Sequence, residues 1–427
     1  MAPQAYCSTK IIFIFFGVAS LLGWNALLTE LDFFYLFLKS MDPYVSFGFL
    51  NYILNILFQF VLVWKKNIFP MKTQLIISII GSIAFLILIP MSTMIFENDS
   101  LLNRCVTGSL VVLMGFINAL CSGGFFSLVS NFPLDMIVSL SAGQGFSGIA
   151  MNILQYIVLF AIPFDEVNGN IKEKERIYSI RAWIFFGVSS FILLICLILL
   201  LTSYNSTYFQ YYLNKANNKG EIVKPLNRTT EGDKPEEQLT ATEEPAMPVA
   251  GNSASFGYLF YKLWDLDLLI LYVYIVTFAL FPNASINQKV FTFKGSFNSN
   301  TVIIVYNAFD TIGRYLVAKV KPTKKLNMIV VLGRSILLFT IVFNYYLQKQ
   351  LQENETPFIT SFSLLINVAF LAATNGIGTS LCFGIAPNEV EDEFKGQAGG
   401  SISFFLILGI FLGNCVAFGT DAIIGTF

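Results

Sequence analysis

Asn307, Asp310 and Arg314 put an amide, a carboxylate and a guanidinium at positions i, i+3 and i+7 of an otherwise apolar stretch, residues 301–318. On a helix that spacing lines all three on one stripe about two turns long. A charge facing lipid costs roughly 3 kcal/mol on insertion scales, so the stripe is expected to face protein or a wet cavity, with its charges paired. Such a pair either fixes helix packing alone or offers acceptors and a planar donor fork to a polar, neutral, hydrogen-bonding solute. A second candidate sits inside the first apolar run. There Trp24 beside Asn25 sets a stacking face for a planar ring next to a polar grip.

Other chemistry is poorly represented. The chain has no histidine, which removes the usual proton shuttle, the commonest metal ligand and the Ser-His or Cys-His nucleophile. Its six cysteines lie far apart without metal-ligand spacing and read as small core or lipid-facing residues. There is no P-loop and no sign of a nucleotide-binding soluble domain, so no enzyme activity, cofactor, ATP or metal is expected. The acidic cluster Glu389, Glu391, Asp392 and Glu393 reads as a solvated face. A net charge of -1 argues against a nucleic-acid partner.

What positions the polar residues is a membrane. Hydrophobic residues make up 55 % of the chain and charged ones 12 %, with a mean hydropathy of +0.67, so the fold class is an all-α polytopic membrane protein. Apolar runs of about 20 residues bounded by charge or proline predict eleven spans: 11–37, 44–64, 74–95, 106–130, 140–162, 182–204, 266–281, 301–318, 328–347, 358–384 and 398–424. Between the sixth and seventh lies a polar segment rich in Lys, Glu, Thr, Asn and Pro, read as a disordered cytoplasmic linker over 205–256. It divides a six-span half, 1–204, from a five-span half, 257–427. Two such halves rocking around a central site would give alternating access.

Basic loops around Lys65, Lys66 and Lys72 and around Lys319, Lys321, Lys324 and Lys325 favour a cytoplasmic N-terminus and an exofacial C-terminus. The counter-signal is the loop with Lys172, Lys174, Arg176 and Arg181 on the other side. Small residues recur within the spans, as in Ser122-Gly123-Gly124, Gly143-Gln144-Gly145 and Thr374-Asn375-Gly376; for the glycines, close helix packing is the expected role.

The run Leu21-Leu22-Gly23-Trp24-Asn25-Ala26-Leu27-Leu28-Thr29, Phe132-Pro133 with Gly143-Gln144-Gly145, Phe281-Pro282, Asn307-Ala308-Phe309-Asp310-Thr311-Ile312-Gly313-Arg314, and Asn375-Gly376 with Ala386-Pro387 together resemble the equilibrative nucleoside transporter family. The resemblance spans nearly the whole chain. It implies a major-facilitator-like bundle of eleven helices in a 6+5 arrangement that moves purine or pyrimidine nucleosides, such as adenosine or uridine, by facilitated diffusion, in the plasma membrane or an endomembrane. It also implies that Trp24 and Leu28 line the central cavity with Asn307, Asp310 and Arg314, and that Asp310 and Arg314 hydrogen-bond the ribose hydroxyls. Two departures matter. Gly23 stands where many members have proline, and Ser122 stands where many have a glutamine that grips the base, so base selectivity does not transfer.

Two alternatives stay open: a carrier of nucleobases or another polar solute, and a proton-coupled nucleoside symporter, for which Glu30 and Asp32 are the candidate carboxylates. A receptor is a more distant reading. Oligomeric state is not legible in the sequence.

Overall fold

The computed structural model describes residues 7–65, 68–163, 170–218, 256–281, 296–350 and 358–424. These are almost entirely helical. The helices are α1 (Cys7–Thr29), α2 (Leu31–Phe37), α3 (Pro43–Trp64), α4 (Met71–Ile95), α5 (Leu101–Val129), α6 (Leu134–Ala161), α7 (Ile171–Ser203), α8 (Thr207–Asn218), α9 (Phe256–Leu280), α10 (Ser296–Leu316), α11 (Lys324–Gly333), α12 (Ile336–Gln350), α13 (Phe358–Ile385) and α14 (Lys395–Ile424). Local chemistry sets several starts. Pro43 occupies the first turn of α3. The side chains of Ser100, Asn170 and Thr323 cap α5, α7 and α11 by accepting from Asn103, Lys172 and Leu326 backbone N–H groups.

Among the described residues ten helical segments are long and apolar enough to cross a membrane, with α11 and α12 counted as one. α10 is not among them: it has 21 residues, and Asn307, Asp310 and Arg314 dilute its apolarity. Phe160, Phe191, Phe339 and Phe370 are exposed on the outer surface, as suits helices surrounded by acyl chains.

The structure revises several sequence-based bounds. The first span ends at Thr29, and the chain turns at Glu30 into the short α2. The ninth span is broken at Arg334 and Ser335. The expected linker begins too early, since Thr207–Asn218 is helix. Its Tyr208 and Phe209 are buried, and Phe209 stacks on Phe13 at 5.3 Å. Four aromatics in twelve residues supply that apolar face, a signal hidden by the polar composition of the segment as a whole. Residues 219–255, the rest of the expected linker, lie outside the described residues, as does Pro282.

Among the helices before residue 219, the expected first half, α1 packs on α6 and α3 and α4 on α5; among those after residue 255, the expected second half, α9 packs on α14 and α10 on α13. The halves meet where α6 lies against α10 and where α14 lies against α3 and α5. Toward the face carrying α8 and the start of α9, the linker face, they are sealed. Phe126 of α5 and Phe383 of α13 stack there with centroids 3.5 Å apart and planes 7° from parallel. Gly399 of α14 also comes so close to α5 that a Cβ would stand 2.1 Å from Ser130 Oγ and 2.6 Å from the Phe126 carbonyl oxygen.

Candidate functional site

The polar stripe on α10 is buried as its spacing required. Asp310 is 5 % exposed and Arg314 4 %. Arg314 Nε donates to Asp310 Oδ2 at 2.7 Å, and Asn375 of α13 donates to Asp310 Oδ1 at 2.8 Å. The other arm of the guanidinium crosses to the first half: Nη1 donates to Gln144 Oε1 at 3.0 Å, to Ser141 Oγ at 3.2 Å and to the Ser141 carbonyl at 3.3 Å, all on α6. Ser141 Oγ in turn lies 2.8 Å from Ser380 Oγ of α13. Gln144 also donates to Ser20 of α1 at 3.0 Å. One ion pair therefore joins the two halves, with its carboxylate anchored in one and its cation reaching into the other.

Asn307, one turn before Asp310, is half-buried and lies against Gly148 of α6. On α1, Trp24 and Asn25 are half-buried: Trp24 meets Tyr52 edge-on at 5.9 Å, and Asn25 donates to Ser147 Oγ of α6 at 2.7 Å. Leu28 is 39 % exposed.

Ser122 is placed differently. It lies in the seam between α3 and α5, accepting from Gln59 Nε2 at 2.8 Å and donating to the Asn118 carbonyl at 2.9 Å, and these bonds tie it to neither α1 nor α10. Gln59 belongs to a row of buried amides, Asn51, Asn55 and Gln59 on α3 with Asn118 on α5. Gln59 Oε1 has no hydrogen-bond partner among the described residues. An amide thus reaches the Ser122 position from α3.

Sequence reasoning leaves out Gln59, Ser141, Thr277, Arg334 and Tyr274, whose hydroxyl accepts from Arg314 Nη2 at 3.4 Å, and treats Gln144 and Asn375 only as parts of motifs. Arg334 had a readable signal, a charge inside the ninth span. The others are uncharged polar residues whose partners come from distant helices.

The two carboxylates at the end of α1 separate. Asp32 is exposed and accepts a hydrogen bond from Tyr44, whereas Glu30 is 8 % exposed, just beyond the first span. Burial, reinforced by Asp32 and opposed by Arg181, pushes the Glu30 carboxyl up from 4.5 to about 8. Because the folded value is the raised one, the contribution to stability is full below 4.5 and is lost as pH rises through about 8. Glu30→Gln is therefore expected to flatten the fall in melting temperature of the purified protein between pH 5 and 9. Parallel wild-type and variant curves would contradict this environment.

Comparison with known proteins places the whole chain. A family profile described as Nucleoside transporter matches residues 109–422. Equilibrative nucleotide transporter 7 of Arabidopsis thaliana is 24 % identical over 424 residues, covering 95 % of this chain and 93 % of the relative. Equilibrative nucleoside transporter 1 of Rattus norvegicus is 22 % identical, with 97 % of each chain covered, and that of Homo sapiens is 22 % identical over 82 % of this chain and 76 % of its own. Among solved structures, the major facilitator superfamily proton:xylose symporter XylE superposes with a TM-score of 0.59 at 12 % identity, covering 98 % of this chain and 89 % of that one. FucP in its outward conformation gives 0.60 at 12 %, covering 98 % and 91 %.

Proposed function

This chain belongs to the nucleoside transporter family, and we propose from that premise that it moves nucleosides, purine, pyrimidine or both, by facilitated diffusion, with Asp310 and Arg314 gripping the ribose. The fold is that of major facilitator superfamily transporters. Transport is by alternating access of the two halves, and the chain is a carrier rather than an enzyme.

The observation that carries the site assignment is the reach of Arg314, paired with Asp310 in its own half and bonded to Ser141 and Gln144 of the other. A carboxylate oxygen accepts more than one hydrogen bond, so Asp310 retains capacity for sugar hydroxyls beyond its two protein donors. When the halves part, Arg314 gives up its bonds to α6, and a ribose takes over part of that hydrogen bonding. Trp24, Asn25 and Leu28 flank the base from α1. Gln59 and Ser122 form the amide and hydroxyl pair nearest the position where many family members carry a base-gripping glutamine.

In this reading α10 is the eighth of eleven spans and the linker face is cytoplasmic. The lysines at 65, 72, 319, 321, 324 and 325 on the linker face support that orientation. The reading has the protein in the plasma membrane or an endomembrane, with its N-terminus cytoplasmic and its C-terminus exofacial.

Labelled uridine uptake in transporter-null cells, challenged by excess adenosine, hypoxanthine or glucose, tests the substrate class. Adenosine is expected to compete at least tenfold more strongly than hypoxanthine or glucose. An inward proton gradient is expected to leave the final accumulation ratio at one. Preferential competition by hypoxanthine or glucose would move the assignment to another polar solute, and accumulation above one would make the carrier a symporter.

A further inference from the structure

Arg334 heads the large side chains that are almost wholly enclosed, at 2 % exposure, and it stands where the ninth span breaks between α11 and α12. Among the described residues no carboxylate pairs with it directly, and its Nε and Nη1 have no hydrogen-bond partner. A buried cation without a counter-ion is strongly unfavourable unless its charge is answered nearby. The answer lies three hydrogen bonds away. Arg334 Nη2 donates to Thr277 Oγ1 of α9 at 2.6 Å, Thr277 lies 2.8 Å from Asn375 Oδ1, and Asn375 Nδ2 donates to Asp310 Oδ1 at 2.8 Å.

The direction of this chain follows from its chemistry. A carboxylate only accepts, so the Asn375 amide turns its N–H toward Asp310 and its oxygen toward Thr277. Thr277 has one proton and a second nearby acceptor, the Val273 carbonyl at 2.7 Å. That carbonyl already takes the i+4 backbone bond of α9, whereas the Asn375 oxygen depends on Thr277. The Arg334 N–H fills a lone pair on the hydroxyl and leaves it a donor. Every dipole then points from guanidinium to carboxylate, an alignment in which each bond strengthens the next.

We propose that Arg334 is a positioning residue for the ribose-binding carboxylate, acting through Thr277 and Asn375 to fix the plane and charge balance of Asp310. Asp310 is held at one oxygen by Arg314 and at the other by Asn375, so each oxygen presents a remaining lone pair in a set direction, as two vicinal hydroxyls require. The four groups come from α9, α10, α13 and the α11/α12 break, all in the second half. The relay therefore travels with that half as it rocks. The inference rests on the assignment of Asp310 to the ribose.

The test is initial-rate uptake of uridine and of 2′,3′-dideoxyuridine at matched surface abundance in wild type, Thr277→Val, Thr277→Ser, Arg334→Lys, Arg334→Met and Asp310→Asn. Thr277→Val keeps the shape and removes the hydroxyl, and it is expected to reduce the preference for uridine at least fivefold through a higher KM for uridine. Uptake of the dideoxy compound should stay within twofold. Thr277→Ser should restore the preference, and Arg334→Lys, which keeps one N–H for Thr277, should retain more of it than Arg334→Met. If Asp310→Asn abolishes the preference while Thr277→Val and Arg334→Met leave it intact, the relay is overturned and the ribose assignment stands. If Asp310→Asn itself leaves the preference unchanged, the ribose assignment fails and takes the relay with it. Thr277→Val reads the relay even where loss of Arg334 prevents folding.

Discussion

Asp310→Ala is expected to lower uridine uptake at least about 100-fold at equal surface abundance. The substitution strips Arg314 and Asn375 of their shared acceptor inside the bundle, and breaking one side of a buried pair costs about 3–5 kcal/mol. It also removes the lone pairs assigned to the ribose, the kind of contact whose loss changes selectivity most steeply. Arg314→Ala should be as severe, since it also cuts the bonds to Ser141 and Gln144 that span the halves. The two losses should not add, because either one dismantles the same pair. Zero-trans initial rates with surface-labelled protein decide the matter. Saturable uptake surviving in both variants would reduce the pair to a packing device.

Gly376→Val is expected to be at least as damaging for a different reason. Gly376 of α13 sits against the backbone of α10 at the site: a Cβ there would stand 2.1 Å from the Asp310 carbonyl oxygen and 2.8 Å from Arg314 N. On the facing helix a Cβ at Gly313 would lie 2.3 Å from the Ala373 carbonyl oxygen. Neither neighbour is a flexible side chain, so the helices must separate, at a cost of about 3 kcal/mol or more where overpacking meets rigid backbone. Separation would also pull Asn375 away from Asp310. Gly187, with nothing within 4 Å of its Cβ position, supplies the control. Gly376→Val should lose the folded monomer peak after mild heating in detergent and should not transport, whereas Gly187→Val should match wild type. Equal survival of both variants would show that α10 and α13 are not held in this contact.

The α10 stripe was legible because polar residues inside an apolar run have few places to go, and their spacing specified one face. The same signal stood at Arg334, where a single charge in the span lacked a companion at helical spacing to draw notice. Its companions Thr277 and Asn375 lie 57 residues before and 41 after it on the chain. Ser122 shows the converse. It stands where many family members carry a glutamine, and the amide that reaches its short hydroxyl, Gln59, comes from α3, far away in sequence. The break after Thr29 was invisible because neither proline nor glycine marks it. Helix α8 was hidden because hydropathy averaged over a long polar segment conceals one short aromatic face.

The seal of Phe126 on Phe383, with Gly399 pressed to α5, bears on kinetics as well as on shape. A carrier that cannot concentrate its solute must have the same Vmax/KM in both directions, because no net flux survives at equal concentrations. Extra stability in the seal cannot favour import over export. It raises the population of the conformer open away from the linker, and any difference it makes between Vmax for entry and for exit must be matched by the same ratio of KM values. Every 1.4 kcal/mol in the seal shifts that population ratio about tenfold without altering where the solute finally settles.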